Sequence, residues 1–189
     1  MSGDHHVCPA ERAGFLTSRL RSLLQNPKRI LGSYIKKGDT VVDIGCGPGF
    51  FTCPMAEMAG ADGRVIAVDL QEEMLEKLKL RAMEKGLLSR IEPSRADVDS
   101  LNVSLKEGAD FVLAFYMVHE VPDKEGLFKQ IHEMLKPGGK LLIIEPGFHV
   151  KKDEFHITLE FASVSGFEVA ESRCGLIDMK AVLVKSAEK

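Results

Sequence analysis

Three glycines, Gly45, Gly47 and Gly49, alternate with other residues in VVDIGCGPGFF, directly after a β-branched run and before a helix-forming stretch. Without a Cβ the backbone can turn sharply and approach a ligand closely, so such a loop can act as a cradle. A tight strand-to-helix turn also uses glycine for its own sake, and the loop alone allows that reading. Asp69 ends the next β-branched run, VIAVD, where its carboxylate can accept hydrogen bonds from two ribose hydroxyls or cap the helix beginning near Gln71. Loop and acid together point to a nucleoside-containing cofactor. Where a dinucleotide loop carries its third glycine this chain has Phe50, giving GxGxG. That departure weakens a nicotinamide reading and suits a ligand with no pyrophosphate at the helix N-terminus.

These residues sit in a repeating pattern. Short apolar runs at 41–45, 65–69, 90–98, 110–116 and 140–145 alternate with helix candidates at about 50–60, 71–86 and 123–136. In the second helix Met74, Leu75, Leu78 and Met83 recur at helical spacing. Repeated βαβ units with right-handed crossovers give a parallel sheet, and the near-continuous apolar strands suit one covered by helices on both faces. The fold class is therefore α/β. After Glu145 a helix over about 153–165 leads to FEVAESR (167–173) and MKAVLVKSA (179–187), whose short connection predicts an antiparallel hairpin. Upstream, Ala13, Leu16, Leu20, Leu23 and Leu24 form one face of a helix that Pro27 ends or bends. With no linker or repeat, residues 1–189 are expected to be one domain, in which 1–27 form a helical segment over the site and 28–189 the core.

Five ordered segments, VVDIGCGPG (41–49), VIAVD (65–69), ADV (96–98), DFVLAFYMVHEVPD (110–123) and LKPGGKLLIIEP (135–146), carry a resemblance. Over about residues 28–185 the chain resembles the class I S-adenosylmethionine-dependent methyltransferases, particularly the small group related to quinone-biosynthesis methylases. The resemblance implies a Rossmann-like, doubly wound sheet of seven strands, mostly parallel, with an antiparallel strand in the C-terminal hairpin. It implies S-adenosylmethionine as cofactor and S-adenosylhomocysteine as product. Asp43 and the backbone at Gly45, Cys46 and Gly47 would hold the methionine end, Asp69 the ribose, and Leu70 the adenine flank. Asp97 with the Val98 amide would read the adenine edge, Asp99 being the alternative, and Phe115 would lie near the amino group.

Residue chemistry qualifies these roles. Asp43 stands on an otherwise apolar strand, where a carboxylate needs an ammonium, backbone amides or structural hydrogen bonds around it. Phe115 and Tyr116 either attract a sulfonium by cation–π interaction or are buried strand residues. KPGG is expected to be a turn that stops a helix and starts the fifth strand. A sulfonium leaves as a neutral thioether, so alignment dominates, and a base matters only if the acceptor must lose a proton. His119, in the loop after the fourth strand, is the first base candidate; otherwise it and Glu120 pack against or cap the helix near Asp123. Glu145 is the second; it faces the acceptor or pairs with a lysine. His149 and His156 fall in the region that shapes the acceptor pocket in the resembled family.

The 25 basic and 28 acidic residues nearly balance, so charge selects neither nucleic acid nor an anionic membrane. Cys8, Cys46, Cys53 and Cys174 contain no CxxC pair, arguing against a disulfide framework or zinc cage. Cys46 reads as a small residue beside the cofactor and Cys53 as helix core. His5, His6 and Cys8 lack a fourth donor, so no metal is expected, although Cys8 on a folding N-terminal lid would suit a soft acceptor. The N-terminus lacks a signal-peptide pattern and no apolar run approaches a membrane span, so a cytoplasmic enzyme acting on a small molecule is expected. The competing expectations are an NAD(P)-dependent oxidoreductase and a catalytically idle cofactor-binding scaffold.

Overall fold

The computed structural model describes residues 25–186. The apolar face at Ala13–Leu24 and the His5, His6 and Cys8 donors lie outside them. The apolar runs form strands β1 (Thr40–Ile44), β2 (Arg64–Asp69), β3 (Ile91–Arg95), β4 (Ala109–Phe115) and β5 (Leu135–Pro146), followed by β6 (Phe167–Cys174) and β7 (Asp178–Lys185). They build one seven-stranded sheet in the order β3-β2-β1-β4-β5-β7-β6. β1 to β5 are parallel, whereas β7 runs antiparallel between β5 and β6. Strand order reverses between β1 and β4. In open α/β sheets ligands bind at the carboxyl ends of the strands beside such a switch point.

Among the described residues five α-helices accompany the sheet: α1 (Pro27–Leu31), α2 (Thr52–Ala59), α3 (Glu72–Glu84), α4 (Lys124–Met134) and α5 (Lys152–Val164). Strand alternation divides their packing. Val41, Val65, Phe111, Leu113 and Leu142 point to the face covered by α1 to α3, with Leu31, Met55, Leu75 and Leu78 above them. Val42, Ile66, Val112 and Leu141 point to the other face, under Leu127, Phe128 and Ile131 of α4 and Phe155 and Leu159 of α5. Local signals set the helix starts. Asn26 caps α1 by accepting from the Lys28 and Arg29 N–H groups, and Asp123 caps α4 by accepting from Gly126 N–H. None of the helices among the described residues is long and apolar enough to cross a membrane.

The structure corrects several expectations. Pro27 occupies the first turn of α1, where its missing N–H costs nothing, and the helix it was expected to end or bend lies outside the described residues. Met83 points outward at 61% exposed, and the buried face of α3 is completed by Ala82. β3 stops at Arg95 instead of reaching 98, so Asp97 and Val98 lie in the following loop. KPGG does follow the last turn of α4, but as a bulge within β5. Leu135 already pairs with Ala109, and the next pairs are Lys140 with Phe111. Gly138 takes a φ of 76° there.

Candidate cofactor and proton-transfer site

The loop after β1 rises at the β1/β4 switch point, and its glycines do three different jobs. Gly45, Gly47 and Gly49 all have left-handed φ, at 71°, 52° and 82°. A Cβ on Gly49 would lie 2.4 Å from Leu78 Cδ1, so this glycine lets α3 pack against the loop. A Cβ on Gly45 would stand 3.1 Å from both Cβ and Cγ of Met117, the residue that crosses from β4. Around Gly47 a Cβ would meet no atom of the described residues within 4 Å, which leaves room over the loop for a ligand. The Gly45 and Cys46 N–H groups both donate to Val68 O, at 2.9 and 3.0 Å, fastening the loop to β2.

Asp69 completes that attachment. Its Oδ2 accepts from Gly47 N–H at 2.8 Å and its Oδ1 from Gln71 N–H at 3.0 Å. The residue capping α3 is Gln71, so Asp69 ties the loop to the start of the helix without being its N-cap. Each carboxylate oxygen keeps a second lone-pair direction for a further donor. Burial pushes the Asp69 carboxyl above its ordinary value, and the backbone N–H groups of Gln71, Gly47 and Leu70 oppose the rise. Asp43, 2% exposed, receives a 2.6 Å hydrogen bond from the Thr52 hydroxyl at the start of α2. The sequence carries no signal for Thr52, because a hydroxyl nine residues beyond a buried acid has no periodic pattern.

Cys53 is buried in the core side of α2, as expected, and Cys46 is buried in the glycine loop. Burial, with Asp43 and Asp69 nearby, raises the Cys46 thiol well above its usual range, and burial likewise raises Cys53. Neither is poised as a thiolate. Leu70 and Val98 are exposed. Asp97 is exposed as well, with its N–H on Ser100 O and its carboxylate accepting from Asn102 Nδ2 at 2.9 Å. Ala96 N–H donates to Asp69 O, so this loop begins beside the Asp69 strand end. Asp99 offers its backbone oxygen to Gln130.

On the other side of the crevice His119 and Glu145 come together. Val118–Glu120 forms a short 3-10 turn after β4. Glu145, 1% exposed near the end of β5, accepts from Val118 N–H at 2.9 Å through Oε1 and bonds His119 Nδ1 through Oε2. Glu145 therefore pairs with the histidine and not with a lysine. His119 does not cap α4, since Asp123 does. Burial lowers the His119 pKa, but the hydrogen bond and charge of Glu145, helped by Glu120, outweigh it and leave the pKa raised. Nε2 lies 4.0 Å from Glu120 Oε1. The His149 ring packs edge-on at 5.1 Å from His119. His156 is elsewhere, on the exposed side of α5 with its Nε2 4.0 Å from Cys174 Sγ.

Phe115 and Tyr116, at the end of β4, stand between the two sides and pack with the cluster under α1 to α3. Phe115 is buried against Phe51, centroids 4.3 Å apart, and against Tyr116 at 4.2 Å. Tyr116 holds a φ of 57°, a conformation costing a bulky L-residue about 1–2 kcal/mol. Its N–H donates to Ile144 O, and its hydroxyl accepts from Gln25 Nε2 at 3.1 Å. The sequence gives no warning of this bend, because glycine or asparagine usually marks one.

Comparison with known proteins identifies the family and the fold. A family profile described as a methyltransferase domain matches residues 41–139, just over half of the chain and the span from β1 to the bulge of β5. The ubiquinone/menaquinone biosynthesis C-methyltransferase UbiE of Teredinibacter turnerae is 30% identical over 113 residues, covering 60% of this chain and 45% of that protein. The chain thus spans less than half the length of the curated relatives it matches. Among solved structures, a S-adenosylmethionine-dependent methyltransferase from Aquifex aeolicus superposes with a TM-score of 0.83 at 22% identity, covering 95% of this chain and 100% of that one. The cyclase SpnF shares the fold too, with a TM-score of 0.73 at 15% identity over 86% of this chain and 81% of that one. Fold likeness alone therefore leaves the reaction open. The sequence match decides against a nicotinamide-dependent oxidoreductase: the chain belongs to the methyltransferase domain family, in its class I, S-adenosylmethionine-dependent form.

Proposed function

We propose that the chain transfers a methyl group from S-adenosylmethionine to a small aromatic acceptor that carries a removable proton. The observation supporting this reading is the convergence of Asp69, bonded to the glycine loop, and the His119–Glu145 pair on the carboxyl edge of one sheet. The cofactor supplies a methyl group on a sulfonium that leaves as a neutral thioether, so the protein needs no acid for the leaving group.

The residues fit such a cofactor. Open space over Gly47 and the remaining lone pairs of Asp69 suit a ribose diol beside the loop. Asp43, Gly45, Cys46 and Gly47 take the methionine end, Leu70 flanks the adenine, Asp97 and the Val98 N–H address its edge, and Phe115 lies by the amino group. On the acceptor side Glu145 is anchored by Val118 N–H and holds His119 Nδ1, so Nε2 is the atom that takes the acceptor's proton. Removing a ring hydroxyl proton raises the nucleophilicity of that oxygen and of the adjacent ring carbon. The relatives named for quinone C-methylation support the carbon. Gln25, just before α1, reaches the crevice through its bond to Tyr116, which supports α1 bordering the site as part of one domain.

Calorimetric titration with S-adenosylmethionine and S-adenosylhomocysteine, against NAD and NADP, tests the cofactor. Binding in the micromolar range by the first pair alone is expected. Labelled-methyl transfer to hydroxylated aromatic rings, demethylated quinols included, then tests the acceptor. Binding of a nicotinamide alone sinks the proposal, while cofactor binding without transfer to any protic aromatic sinks the acceptor class and favours an idle scaffold.

A further inference from the structure

Left-handed backbone is costly for residues other than glycine, and asparagine bears it best because its short amide can bond its own chain. Asn102 stands at such a point, with a φ of 52° in the stretch between β3 and β4. All of its polar groups are engaged. Its N–H donates to Ser100 Oγ at 3.2 Å, its Oδ1 accepts from Ser100 Oγ at 2.8 Å, and its carbonyl accepts from Ser94 Oγ at 3.1 Å. Nδ2 donates in two directions, to the carbonyl of Arg95 at the end of β3, 3.1 Å away, and to Asp97 Oδ2 at 2.9 Å. Turning the amide over would set its oxygen against both of these acceptors, so its orientation is fixed. The same loop is fastened elsewhere without touching that carboxylate. Leu101 N–H donates to Gln130 Oε1 at 2.8 Å and Gln130 Nε2 to Asp99 O at 3.0 Å, so α4 grips the loop by its backbone. Ala96 N–H on Asp69 O ties the start of the loop to the strand end that carries Asp69. Asp97 is exposed, and among the described residues its Oδ1 accepts from no donor. Holding Oδ2 therefore fixes the rotation of the carboxylate and leaves Oδ1 for a donor from outside.

Resting on the cofactor reading above, in which Asp97 and the Val98 N–H address the adenine edge, we propose that Asn102 is a positioning residue that aims the Asp97 carboxylate and so sets the preference for an amino group on the cofactor's purine. Adenine presents a donor, its exocyclic amino group, beside an acceptor, the neighbouring ring nitrogen. Hypoxanthine reverses both, with an exocyclic oxygen beside a ring N–H. An ionised carboxylate only accepts and a backbone N–H only donates, so the aimed pair matches the first pattern and opposes the second. A carboxylate free to turn could follow the donor from one position to the other. The aim, and not the acid alone, therefore decides the preference, because discrimination depends on leaving the wrong ligand's polar groups unpaired.

The test compares dissociation constants for S-adenosylhomocysteine and its deaminated analogue, S-inosylhomocysteine, by calorimetry on the unaltered protein, Asn102→Gly and Gln130→Ala. The unaltered protein is expected to favour the adenosyl ligand by roughly tenfold or more. Asn102→Gly removes the amide while glycine keeps the same φ without strain, and it should lower that ratio by roughly three- to tenfold, mainly by admitting the inosyl ligand. Gln130→Ala loosens the loop from α4 without touching Asp97, and it should leave the ratio within about twofold. A ratio unchanged in Asn102→Gly, or lowered equally in both variants, overturns the proposal and makes Asn102 a fastener of the loop. No preference in the unaltered protein overturns it as well while leaving the cofactor reading intact; failure to bind either ligand overturns the cofactor reading and the proposal with it. A second variant does not depend on Asn102→Gly folding. Asn102→Asp has the same shape but turns a charged acceptor toward Asp97 Oδ2 in place of the donor, so it should lower the ratio at least as far, and an unchanged ratio there sinks the aiming role.

Discussion

The two sides of the β1/β4 crevice are built from different parts of the chain's chemistry. On the β1/β2 side the backbone does the shaping: left-handed glycines, N–H groups fastened to Val68 O, and a strand-end carboxylate that accepts two of its three neighbouring N–H groups directly. On the β4/β5 side the shaping comes from side chains, with Glu145 holding His119 and Tyr116 stacked on Phe115. A backbone-built cradle accepts a ligand common to many reactions, whereas a side-chain-built wall can change its chemistry without changing the fold. The two sides should therefore fail differently when altered.

The largest effect is expected from His119→Asn. Removing a general base costs about 10²–10⁴-fold in rate. Affinity for S-adenosylmethionine should stay within about twofold, because the described partners of His119, Glu145, Glu120 and His149, lie away from the cradle side. Single-turnover rates and calorimetry on the same preparation check both halves; a fall in affinity with an unchanged rate would place His119 on the wrong side of the comparison.

Next comes Gly49→Ala. The new Cβ would lie 2.4 Å from a buried Leu78 methyl carbon, at a φ of 82° that favours glycine. Overpacking and left-handed strain together should cost about 3 kcal/mol of stability, read by urea denaturation. Gly47→Ala meets no atom of the described residues within 4 Å, so it should show the strain alone and weaken cofactor binding instead. Equal stability losses in the two variants would erase the distinction between packing glycine and ligand glycine. Asp69→Ala should then weaken S-adenosylmethionine by about 1.5–3 kcal/mol, the value of a charge-assisted hydrogen bond, with little effect on the rate at saturation.

The contrast also explains what was legible in the chain. Gly45, Gly47, Gly49 and Asp69 carry a strong sequence signal because backbone demands restrict residue type, and the strands beside them alternate visibly with helices. Glu145 could be noticed as a charge at the end of KLLIIE, yet its pairing with His119 could not, since the two meet through the register of β4 on β5. Thr52 and Gln25 are ordinary polar residues whose partners are set by tertiary contact. KPGG looks like a plain turn because a bulge and a turn demand the same glycines. Asp97 fell outside β3 because the strand ends where pairing with β2 ends, at Arg95 opposite Asp69.

The smallest effect is a slope. His119 holds its proton more tightly in the folded chain than its ordinary value of 6.5, because Glu145 and Glu120 outweigh the burial that opposes them. That stabilisation is fully present below the unfolded value and is lost as pH rises through the raised folded one. Unfolding free energy measured by urea should therefore decline across the window that opens near pH 6.5 and closes above the folded pKa. Glu145→Gln keeps an acceptor for Val118 N–H but removes the charge, so burial should dominate and the decline should vanish or reverse. Activity supplies a matching readout of opposite sense. A base works when neutral, so the rate should climb with pH through the raised value, and Glu145→Gln should move that climb to lower pH while depressing the plateau. A climb that stays in place would mean that Glu145 positions the Val118 turn without setting the charge of His119, and the wall built from side chains would lose its electrostatic half.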